Sequence, residues 1–160
     1  MVQFEHPIQK VTEFVLTEWA MMLIEPAEAP EETFSADRPF LNVTVNYQGV
    51  FDGELTIICQ RGFVDLLARN VLGIDSDHPV KPGEEWDALR ELANIVSGNF
   101  LAEAYGTEVV FDLPSFKTAE TDFQGSLPFF RSEHVGRSTA FYLADGEPVF
   151  VCFDIRASEY

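Results

Sequence analysis

The sequence predicts an α+β fold, a mainly antiparallel sheet with long helices packed on one face. Three observations carry that expectation. The elements read in the order helix, two strands, two helices, several strands. The strand-like runs are short and joined by turn signals that suit hairpins rather than crossovers. The helical runs carry their apolar residues on a single stripe, so each needs one surface to cover it. The 160 residues suffice for a single domain over 1–160 with a core of its own.

After Pro7, Ile8, Val11, Phe14, Val15, Trp19, Met22 and Leu23 recur at helical spacing, and Pro suits a first helical turn. "EPAEAPEETFSADRP" breaks that pattern and reads as a loop. No Lys or Arg lies between Lys10 and Arg38, so this stretch is expected as a solvated acidic surface. In "FLNVTVNY", Leu41, Val43, Val45 and Tyr47 alternate with Asn42, Thr44 and Asn46, which predicts a half-buried strand. "GELTIICQ" is its hairpin partner, across a turn region holding Gly49, Asp52 and Gly53. "GFVDLLARNVLG" predicts a short helix ending near Gly73, and "DSDHPVKPGEE" a loop. A second long helix runs from Asp87 to Gly106. Then "EVVFDLPSF", the segment around "GSLPFF", "TAFYLADG" and "EPVFVCFDI" read as strands, the last two joined by a turn at Asp145-Gly146. Both halves begin with a long helix and continue into strands, which hints at a duplication without a matching sequence repeat.

Composition narrows the function classes. With 27 Asp and Glu against 10 Lys and Arg, the net charge is −17. That argues against nucleic acid, which normally needs a basic face, and against anionic membrane surfaces. No apolar run reaches the roughly 18 residues that would span a membrane. The longest, "FVLTEWAMMLI", is broken by Glu18 and lacks a basic leader and a cleavage site, so the expected compartment is the cytoplasm. Cys59 and Cys152 lie far apart in apolar runs and are expected as buried free thiols. His6, His78 and His134 stand isolated and are expected at the surface. No metal site is expected.

The helix "DALRELANIVSGNFLAEAYG" carries the one local rule that is broken. At about 100° per residue, Leu89, Leu92, Ala93, Val96 and Phe100 fall within about 100° and form a core stripe. Asp87, Glu91, Asn94 and Gly98 fall within about 60° on the opposite side. Inside a helix Gly costs about 1 kcal/mol against Ala, and Asn roughly 0.6. Neither residue points at the core, so packing does not offset that cost. Glu91 and Asn94 are neighbours at i, i+3, giving a negative anchor beside an amide with both donor and acceptor. Gly98, one turn further, removes bulk and lets another molecule approach.

The run "GEEWDALRELANIVSGNFLAE" resembles the signature helix of the CheC/CheX/FliY family of response-regulator phosphatases. Members carry an ExxN motif on an exposed helix, often followed by a small residue and Gly. Here it stands as Glu91-Leu92-Ala93-Asn94, then Ile95-Val96-Ser97-Gly98. The order of elements resembles CheX over essentially the whole chain. The first helix has no second copy: Glu13 is followed at +3 by Leu16, and Glu18 by Met21. One motif, in the second half, is the CheX-like pattern.

The resemblance implies a chemotaxis-type, two-component partner: the phosphorylated receiver domain of a CheY-like response regulator. The implied chemistry is hydrolysis of its aspartyl phosphate. The receiver brings the phosphoryl group, a Mg²⁺ ion and a Lys, so this chain needs no cofactor of its own. Asn94 is expected to orient the attacking water, and Glu91 to dock on the receiver Lys, with Asp87 and Gly98 as partner contacts. Receiver phosphorylation pockets are themselves acidic, so local charge pairs rather than long-range steering must secure the encounter. A two-fold homodimer is also implied, with "FYLADGEPVFVCFDI" expected to supply the pairing sheet edge. Two rivals remain. One is a non-catalytic dimeric adaptor of the same fold that binds a receiver or signalling partner. The other is a small-molecule sensor built on an interior with 15 Phe.

Overall fold

The structure, a computed structural model, describes residues 5–108, 110–133 and 135–156. Its elements are α1 (Glu5–Phe14), continued by a π-helical turn (Val15–Trp19), β1 (Ile24–Pro26), α2 (Pro30–Thr33), β2 (Phe40–Gln48), β3 (Asp52–Gln60), α3 (Arg61–Leu72), α4 (Pro82–Tyr105), β4 (Asp112–Thr121), α5 (Phe123–Arg131), β5 (Arg137–Ala144) and β6 (Glu147–Arg156). The six strands form one sheet in the order β1-β5-β6-β3-β2-β4. Every neighbouring pair is antiparallel. The fold is α+β, as the sequence predicts.

Leu41, Val43, Val45 and Tyr47 of β2 share one sheet face with Leu55, Ile57 and Cys59 of β3 and Val149, Val151 and Phe153 of β6. The long helices α1, α3 and α4 cover that face with Ile8, Val11, Val15, Phe63, Leu67, Leu92, Val96 and Phe100. Pairing Tyr47 with Gly53 lets the phenol lie across the neighbouring strand: a Cβ at Gly53 would stand 1.8 Å from Tyr47 Oη. The β5–β6 turn is tight, with Asp145 at φ 48° and Gly146 at φ 82°, the left-handed pair that a two-residue hairpin requires.

The opposite face departs from expectation. Phe40 and Asn42 of β2 are buried as well, because a second core of Phe34, Phe40, Ile58, Phe150 and Cys152 lies there. Phe123, Phe129 and Phe130 pack against it, and all three come from α5. The "GSLPFF" segment is therefore a helix, where a strand was expected. Asp122 caps it, its Oδ1 accepting from the Gly125 N–H at 2.8 Å. Phe123, Leu127 and Phe130 follow at i, i+4, i+7, a helical spacing masked by Gly125 and Pro128.

Three further expectations are corrected. The acidic "loop" after the first helix contains β1 and the single turn α2; Glu31 of α2 ion-pairs with Arg131 of α5 at 2.5 Å. The first helix does not bury its whole apolar set: Phe14 is 58% and Leu23 83% exposed. Phe14 lies roughly 100° from the centre of the stripe set by Ile8, Val11 and Val15. Leu23 falls beyond the helix end, which is closed by the Met22 N–H on Leu16 O at 2.9 Å and by Met21 at φ 55°. Finally, β5 and β6 are interior strands, so they offer no pairing edge. They are apolar on both faces because helices cover both sides of them. The edges are β1, of three residues, and β4, of ten.

Candidate functional site

The motif helix begins five residues earlier than its periodicity suggests. Lys81 is the N-cap, Pro82 takes the first helical position, and Glu84 Oε1 accepts from the Lys81 N–H at 3.1 Å. Glu85 then turns inward and accepts from Arg61 Nη1 at 2.9 Å, while Arg61 Nη2 reaches Glu120 at 3.3 Å. Arg61 thus ties the first turn of α4 to the start of α3 and to β4. Burial pushes the Glu85 carboxyl above its ordinary range, although Arg61 beside it pulls the other way.

The core side of α4 matches the predicted stripe. Leu89, Leu92, Ala93, Val96 and Phe100 are each at most 1% exposed. Asp87, Glu91, Asn94 and Gly98 all face solvent. Among the described residues, neither Glu91 nor Asn94 makes a side-chain hydrogen bond or ion pair within the chain. Asn99 supplies the contrast: its amide Nδ2 donates to Ile95 O at 2.8 Å and is consumed by the helix itself. Around Gly98 an added Cβ would meet nothing within 4 Å, so the fold does not demand glycine there. Near the C-terminal end of α4, the ring of Phe51 stands 5.2 Å from that of Tyr105. Burial raises the Tyr105 phenol to about 12.

One residue of this face escaped the sequence reading. Arg90 is exposed and ion-pairs with Asp87 through Nη1 at 3.2 Å. Its sequence signal is the i, i+3 spacing from Asp87; as a good helix former Arg90 breaks no local rule.

Elsewhere, Cys59 and Cys152 are buried and unpaired, as expected. Burial pushes both thiols up, Cys152 to about 11, which keeps them from thiolate chemistry. His78 is exposed but not isolated: it shares the α3–α4 loop with Asp75 and Asp77, its Nδ1 lying 3.9 Å from Asp77 Oδ1. The side chain of His6 and all of His134 lie outside the described residues. No helix among the described residues is long and apolar enough to cross a membrane.

The model of the family described as chemotaxis phosphatase CheX matches residues 41–124, from β2 through the motif helix and into α5. The chain belongs to the CheX family. Solved structures agree in fold. CheX from Desulfovibrio desulfuricans superposes with a TM-score of 0.68 at 14% identity, over 96% of this chain and 99% of that one. CheX from Borrelia burgdorferi, solved in a complex with CheY, BeF3 and Mg²⁺, gives 0.65 at 17% identity, over 98% and 100%. FliY from Thermotoga maritima gives 0.56 at 13%, over 96% and 92%. Identities this low speak for the fold alone. No curated protein matches the chain.

Proposed function

We propose that this CheX-family protein hydrolyses the aspartyl phosphate of a CheY-like receiver domain, with Asn94 orienting the attacking water and Glu91 docking the receiver. The observation that carries the reading is the pair itself. A carboxylate and a carboxamide stand one helical turn apart on an exposed face, neither bonded to any other described residue through its side chain. A receiver already holds its phosphoryl group, a Mg²⁺ ion and a Lys. What it lacks is a water held in line with the bond to be broken. Phosphoryl transfer is governed by positioning and electrostatics, so one well-placed amide suffices. Asn94 can accept from and donate to that water, and Glu91 complements the receiver Lys. Asp87 and Gly98 complete the contact, Gly98 by leaving space. The CheX–CheY complex from Borrelia burgdorferi supports a receiver as the partner.

The deciding experiment is Asn94→Ala, assayed on a panel of phosphorylated receiver domains. The variant should lose a factor of about 10² or more in dephosphorylation rate, roughly 3 kcal/mol of barrier. Receiver affinity should stay close to wild type. The melting temperature should hold or rise, because Ala is the better helix former. A wild-type rate in the variant sinks the mechanism. Receiver binding without acceleration by the wild-type protein favours the adaptor reading.

The dimer belongs to the same proposal, on a corrected edge. β4, ten residues long, lies at the edge of the sheet, where alternate residues turn their backbone groups outward, and its Phe116 is 38% exposed. Such an edge needs a cover, and a second β4 related by a two-fold axis provides one. Light scattering that finds only monomer at tens of micromolar refutes it.

A further inference from the structure

The receiver reading leaves an electrostatic difficulty. The chain carries a net charge of −17, and an aspartyl phosphate bound to Mg²⁺ sits among carboxylates. Two acidic surfaces must meet. At physiological salt, charges further apart than about 8 Å are largely screened, so the local charges of α4 decide the encounter. Of the ten Lys and Arg, the only one on the exposed face of α4 is Arg90. It lies one turn before Asn94 and immediately before Glu91.

Resting on the receiver reading, we propose that Arg90 is a specificity-determining residue that reads a carboxylate on the acidic surface around the partner's phosphoryl group. Three features fit it to that task. Its side chain is 44% exposed, and only Nη1 is engaged, so most of the planar fork remains open. Its present partner Asp87 is 71% exposed, and an exposed pair of this kind is weakly held. The guanidinium can therefore exchange Asp87 for a partner carboxylate at little cost, while Asp87 keeps it extended along the helix beforehand. Lys81 stands at the N-cap of α4, before the exposed face begins, and three other cations of the helical layer are engaged elsewhere. Arg61 bridges Glu85 and Glu120. Arg69 pairs with Asp65 and binds the Asp75 and His78 carbonyls. Lys10 holds Glu103. Arg90 and Glu91, adjacent and of opposite sign, together match a partner that presents a carboxylate beside a Lys.

The test is steady-state dephosphorylation of a phosphorylated receiver by Arg90→Glu and Arg90→Lys at low and high salt, with Asn94→Ala alongside. Arg90→Glu should raise KM about tenfold at low salt, and the difference should shrink as salt rises. The loss should lie in KM, since the residue recognises the partner and does not touch the water. Arg90→Lys should recover much of the affinity, because the charge is kept. Melting curves check that the exposed substitutions do not unfold the chain. An unchanged KM in Arg90→Glu, or a loss in kcat alone, overturns the proposal. If Asn94→Ala still abolishes turnover, the receiver reading survives that outcome. If the wild-type protein neither binds nor dephosphorylates any receiver, both fall.

Discussion

α1 and α4 pack against each other on the same sheet face, and each presents a glutamate to solvent. On α1, Glu13 Oε1 accepts from the Tyr142 hydroxyl at 2.8 Å, so the fold uses it. The residue three positions on, Leu16, is 1% exposed and belongs to the core. The next glutamate, Glu18, is followed at +3 by Met21, which lies beyond the helix at φ 55°. On α4, Glu91 and Asn94 share the wet face of a helix that continues for three further turns, and neither is spent on packing. The two helices solve one burial problem with the same kind of apolar stripe. Only α4 combines a long enough exposed face with side chains the fold leaves alone. At the same i, i+3 spacing, α1 buries the second position and α4 exposes it.

The largest effect is expected from Leu16→Asn, which writes the motif's spacing onto α1. It removes a buried leucine and leaves an amide in the core, so it should destabilise the protein by about 3–5 kcal/mol and add no second activity. Denaturant unfolding measures the loss; a mild effect would mean that α1 can turn this position outward. Glu91→Ala comes next. It should weaken receiver binding by roughly 1–3 kcal/mol while leaving the melting temperature in place, because the carboxylate has no partner among the described residues. Calorimetric titration with a phosphoryl-mimic-loaded receiver reads the first quantity and thermal melting the second. Unfolding of this variant would make Glu91 structural, like Glu13. Gly98→Ala is the smallest. A Cβ meets nothing there, so helix stability should rise by up to about 1 kcal/mol. The same methyl intrudes on the approaching partner and should raise KM. A more stable protein with unchanged KM would show that the partner does not come near Gly98.

The periodicities carried much of this molecule. The core-facing alternation of Leu41, Val43, Val45 and Tyr47 in β2, the five-residue core stripe of α4 and its exposed Asp87, Glu91, Asn94 and Gly98 were legible because each depends on local geometry. A strand repeats every two residues and a helix every 3.6, whatever they pack against. Gly73 and Asp145-Gly146 were legible for a similar reason, since left-handed backbone selects few residues.

What tertiary structure decided are the matters in which distant segments compete for the same surface. The second face of the sheet needed a cover for Phe40, Ile58 and Phe150, and that burial drew "GSLPFF" into a helix despite Gly125 and Pro128. Edge and centre among the strands follow from the order of pairing, to which the local pattern of β5 and β6 is blind. The fate of each glutamate was settled in the same way. Glu13, Glu85 and Glu91 are one residue type on exposed or amphipathic helices. The fold gives Tyr142 to the first and Arg61 to the second, and leaves the third open, because a side chain's partners are set by what the chain brings alongside it from elsewhere.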